Sequence, residues 1–88
     1  MRTKYQLELQ NLKQHDEIQE QYVCEFSGYP FIVTASHGYL VVPRDDQHGM
    51  AIVSKMVVDY GYKGNLAVYL EEDCEAAEFC GLLKGNAV

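Results

Sequence analysis

The chain has 88 residues, 48% of them hydrophobic and 11% aromatic, with 13 acidic against 7 basic side chains for a net charge of −6. That length predicts one domain burying roughly 60 to 70% of its unfolded surface, and the apolar content argues against a disordered chain. The negative charge repels a phosphate backbone, which disfavours direct nucleic-acid binding and favours a partner with a basic surface.

The uninterrupted apolar runs are only a few residues long, far short of the ~20 that a membrane-crossing helix needs. No secretory leader opens the chain, and the three cysteines Cys24, Cys74 and Cys80 do not form the dense, even framework of a secreted scaffold. A reducing, cytoplasmic setting is expected.

In chain order, Arg2 to Gln21 is polar and rich in helix formers, with Tyr5, Leu9, Leu12 and Leu7 or Ile18 spaced for one apolar face. This predicts an amphipathic helix, although Tyr5, Leu7 and Leu9 also satisfy strand alternation. Tyr22 to Phe26, Phe31 to Ser36 and Tyr39 to Val42 read as a three-stranded meander. Its turns are Ser27-Gly28-Tyr29-Pro30 and His37-Gly38, and Pro43 closes the last strand.

Asp45 or Asp46 is placed to cap a second helix, whose apolar face is Met50, Val53, Met56, Val57 and Tyr60 and whose end is expected at Gly61. A turn at Gly61-Tyr62-Lys63-Gly64 leads to Leu66 to Leu70, an apolar run that suits a strand buried on both faces. Asp73 to Leu83 reads as a last helix, with acids in the first turn and Lys84 before Gly85 at its end. The whole is α+β: a three- to four-stranded, mainly antiparallel sheet with two or three helices packed on one face, in a single domain over 1–88.

The densest chemical feature is Glu71, Glu72, Asp73, Glu75 and Glu78, beside the buried strand and the start of the last helix. It reads as a dipole-stabilised helix start, as a surface for a basic partner, or as oxygen ligands for a divalent cation. Four of the seven tyrosines, Tyr29, Tyr39, Tyr60 and Tyr62, stand beside or near glycines at turns, where an amphipathic ring serves as an interface anchor. The candidate partner-binding set is therefore Glu71, Glu72, Asp73, Glu75, Glu78, Tyr29, Tyr39 and Tyr62.

Catalytic and cofactor signatures such as a nucleophile elbow, a P-loop or a dinucleotide fingerprint are missing from the sequence, so neither a catalytic residue nor a cofactor is assigned. An alternative is a small enzyme or metal-dependent protein in which His37, His48 and carboxylates converge on folding. Cys24 and Cys80 are expected to be buried structural thiols, and the Cys74 thiol, among carboxylates, to be pushed up and unreactive. A third option is a homo-oligomer, a homodimer being the simplest, in which a second copy completes an uncovered face.

The segments His37-Gly38-Tyr39-Leu40-Val41-Val42-Pro43, Tyr60-Gly61-Tyr62-Lys63-Gly64 and Tyr69-Leu70-Glu71-Glu72-Asp73-Cys74-Glu75-Ala76 resemble patterns in small bacteriophage and mobile-element proteins. The resemblance covers about half the chain, from His37 onward, and carries no catalytic residue across. It implies a setting in which short acidic proteins block host defence systems, as anti-CRISPR proteins do, in the host cytoplasm.

Overall fold

Alternation of side chains along the strands sorts the apolar residues onto two faces, and both are covered. The computed structural model describes residues 1–14 and 19–86. Its elements are α1 (Lys4–Lys13), β1 (Glu20–Val23), β2 (Pro30–Val33), β3 (Gly38–Pro43), α2 (Gln47–Val53), β4 (Tyr62–Lys63), β5 (Ala67–Glu71) and α3 (Glu75–Asn86). The strands form one antiparallel sheet in the order β1-β2-β3-β5-β4. The class is α+β, with five strands rather than three or four.

The added strand is β4. Tyr62 and Lys63, expected in a turn, pair with Tyr69 and Val68 of β5. Gly64 donates to the Ala67 carbonyl at 2.9 Å to close the hairpin. β5 is buried along its whole length, between β3 and β4, which matches the unbroken apolar run in the sequence.

On one face, Phe31, Leu40, Val42, Val68 and Leu70 pack with Ile52 and Val53 of α2 and Ala76 and Phe79 of α3. On the other, Ile32, Tyr39, Val41, Ala67 and Tyr69 pack with Leu9 of α1, flanked by Tyr5, Leu12 and Tyr62. The helices are thus divided between the faces instead of sharing one. A sheet apolar on both sides needs cover on both.

The N-terminal segment is a helix and not a strand. Thr3 forms a capping box with Gln6, and Gln14 ends the helix in the left-handed region at φ 58°. Leu9 is fully buried and Tyr5 and Leu12 half-buried, whereas Leu7 is exposed. Ile18 lies outside the described residues. The helix stops well before Gln21, and β1 begins at Glu20.

α2 is also shorter than its apolar pattern. It ends at Val53, after which Lys55 and Met56 donate to Ile52 and Val53 in tightened turns. Met56 and Val58 still pack on the core, but Val57 and Tyr60 are exposed. Asp46 stands at the N-cap without a side-chain cap bond. α3 begins at Glu75 and continues through Gly85. Among the described residues no helix is long and apolar enough to cross a membrane.

Candidate functional site: an aromatic and acidic cleft

Two ends of the fold meet beside the sheet. The β2–β3 turn brings Ser36 and His37, the α2–β4 loop brings Tyr60, β4 brings Tyr62, and the segment after β5 brings Asp73 and Cys74. With Tyr39, Glu71 and Lys13 they line a cleft of about 520 Å³. A wider and more open depression of about 840 Å³ runs along α1 past Leu7, Asn11 and Leu66, but no aromatic ring lines it.

The rings in the cleft form a connected row. His37 lies 6.3 Å from Tyr39 between centroids, and Tyr39 lies 5.9 Å from Tyr62. Lys13, in the last turn of α1, sets its ammonium 5.0 Å from the Tyr39 centroid and 5.8 Å from that of Tyr62. It also donates to the Tyr39 hydroxyl at 3.0 Å. The ring faces thus already hold a cation belonging to the chain itself. Tyr60 is 69% exposed and is the ring most available to another molecule.

The acidic side is less exposed than a run of carboxylates suggests. Glu71 is buried, with Oε1 accepting from the Asp73 amide at 3.2 Å and lying 3.9 Å from His37 Nδ1. Glu75 is 4% exposed. Its carboxylate accepts from the amides of Asp59 at 2.5 Å, Tyr60 at 2.6 Å, Gly61 at 2.7 Å and Glu71 at 3.3 Å. It therefore fixes the loop that carries Tyr60. Gly61 is required there, because a Cβ would overlap the Tyr69 carbonyl and crowd the Glu75 carboxylate.

Of the sequence-derived set, Tyr39, Tyr62, Glu71 and Asp73 converge on the cleft, and Glu75 supports it from behind. Glu72 and Glu78 are exposed outside its lining. Tyr29 faces the other side of the sheet, edge-on to Phe79 at 5.4 Å. Burial, together with a hydrogen bond to Asp46, pushes its phenol up to about 12. The fold adds Lys13, His37, Tyr60 and Cys74. His37 and Tyr60 carry turn and glycine signals in the sequence, but Lys13 reaches the cleft only through docking of α1.

His37 and His48 do not converge. They flank opposite ends of β3, a strand of six residues spanning roughly 17 Å. Among the described residues no group of three or more His, Cys, Asp or Glu is arranged to hold a metal ion. The Cys74 thiol is pushed up by desolvation, by its hydrogen bond to Glu71 and by the nearby carboxylates. A thiol held protonated is a poor nucleophile.

Compared with protein-family models, with curated proteins and with solved structures, the chain has no match.

Proposed function

We propose that this chain is a non-catalytic, acidic binding protein of the phage anti-defence type, which inhibits a host protein by seating a lysine or arginine from a basic surface in the tyrosine-lined cleft. The observation that carries the reading is the row of Tyr39 and Tyr62 already holding the Lys13 ammonium, with the exposed Tyr60 and the Asp73 carboxylate beside it. Aromatic faces attract cations and carboxylates neutralise them. The net charge of −6 speeds encounter with a basic groove, such as that of a nucleic-acid-binding effector.

The test is a pull-down from bacterial lysate at low and high salt, using the wild type and the variants Tyr60→Ala and Asp73→Lys. Both side chains are outside the core, so the variants are expected to melt with the wild type. Bound proteins are identified by mass spectrometry. The expected result is capture of a basic, nucleic-acid-binding protein, lost at high salt, with affinity for the purified target reduced about 30-fold by removing a hot-spot ring. Capture that both substitutions leave untouched would remove the cleft from the mechanism, and no capture at all would remove the inhibitor reading.

A further inference from the structure

Cys24 and Cys80 come together from distant parts of the chain. Cys24 follows β1 and shares the face of Tyr22, whose ring lies 5.5 Å from Phe31. Cys80 lies in α3 next to Phe79. Both sulfur side chains are half-buried against the same core cluster. Between them the β1–β2 turn is fixed. Cys24 donates its amide to Tyr29 at 2.8 Å, Gly28 at φ 79° donates back to Cys24 at 2.7 Å, and the Tyr29 ring packs edge-on against Phe79.

We propose that Cys24 and Cys80 are a redox pair that closes to a disulfide under peroxide, linking the β1–β2 turn to α3. The two sulfurs have different environments, as such a pair requires. Although burial opposes it, the Cys24 thiol is held below its usual range by hydrogen bonds from the Ser27 hydroxyl and from the Ser27 and Phe26 amides. Those donors stabilise a thiolate, which is the attacking species. The Cys80 thiol is pushed up by burial and, next, by the charge of Cys24, so it stays protonated and serves as the resolving group.

In the first step the Cys24 thiolate attacks hydrogen peroxide, the O–O bond breaks, and sulfenic acid and hydroxide form. In the second, Cys80 gives up its proton and its sulfur attacks the sulfenic sulfur, releasing water. The sum is two thiols and one peroxide giving one disulfide and two waters, and a small dithiol reverses it. Cys74, exposed and raised among carboxylates, stands outside the pair.

The experiment treats the full chain with hydrogen peroxide, alkylates the remaining thiols and maps the peptides, alongside Cys74→Ser and Cys80→Ser variants. Wild type and Cys74→Ser are expected to lose two alkylatable thiols and yield a Cys24–Cys80 peptide that dithiothreitol separates. They should also melt at a higher temperature when oxidised, because the link closes a long loop. Cys80→Ser is expected to accumulate a Cys24 sulfenic acid that dimedone traps. Thiols that all remain alkylatable, or a link through Cys74, would overturn the proposal. Since the variants keep the core aromatic residues, their folding is checked by the unoxidised melting curve.

Discussion

At Glu75 one carboxylate does the work of a covalent staple. Three consecutive amides, from Asp59 to Gly61, and that of Glu71 all donate to it. Hydrogen bonds to a charged acceptor contribute about 1.5–3 kcal/mol each when the groups are buried. Glu75→Gln replaces one acceptor oxygen by an amide that turns hydrogens towards other hydrogens. It is expected to cost about 3 kcal/mol, read as a lower urea midpoint, with faster amide exchange at 59 to 61. An unchanged midpoint would mean that the loop is held by its apolar contacts alone. The sequence places Glu75 among four neighbouring acids but gives no sign of its burial. A carboxylate facing water and one facing amides 14 to 16 residues away are the same letter.

At the scale of elements, the meander, the last helix and the buried strand are legible because alternation and helical spacing are local properties. The apolar spacing from Met50 to Tyr60 is local too, yet the helix ends at Val53. β-branched Val57 and Val58 weaken the helix, and the amides of 59 to 61 are satisfied by Glu75 instead of by helical carbonyls. The two-residue β4 has too little sequence to announce a strand and exists because β5 offers a free edge. α1 is the element most dependent on tertiary contact. Its weakly apolar sequence is fixed by Leu9 on the sheet and by Glu8 at the β4–β5 turn. Leu9→Ala is expected to cost about 3 kcal/mol and to raise hydrogen exchange throughout α1. Because α1 carries Lys13 into the cleft, the same variant should also disturb the environment of Tyr39 and Tyr62. Unaltered exchange in α1 would show that Glu8 and the cap suffice.

For the whole molecule, Glu8 links acid stability to helix docking. Its carboxylate accepts from the amides of Asn65, Leu66 and Ala67 and from the Tyr69 hydroxyl at 2.7 Å. Desolvation acts to raise it, but the Tyr69 hydroxyl and those amides prevail and hold it below the ordinary carboxylate range. A folded value below the unfolded one means that stabilisation is complete above the unfolded value and is lost as pH falls through the folded one. Glu8→Gln should therefore melt below the wild type at neutral pH, and the two curves should converge in acid. Parallel curves down to the acid limit would show that the Glu8 charge does not contribute.

Composition and periodicity by themselves determined an acidic α+β chain, the strands on which Phe31, Leu40 and Val68 stand, and the tyrosines and carboxylates around the cleft. These follow from local spacing and from the partition of apolar side chains away from water. Only the tertiary structure decided that α1 covers the second face, that Glu71 and Glu75 turn inward, that Tyr29 leaves the cleft while Lys13 enters it, and that Cys24 meets Cys80. Each of those depends on which distant amide, ring or thiol arrives opposite a side chain, and that is a property of the closed sheet and not of any stretch of sequence.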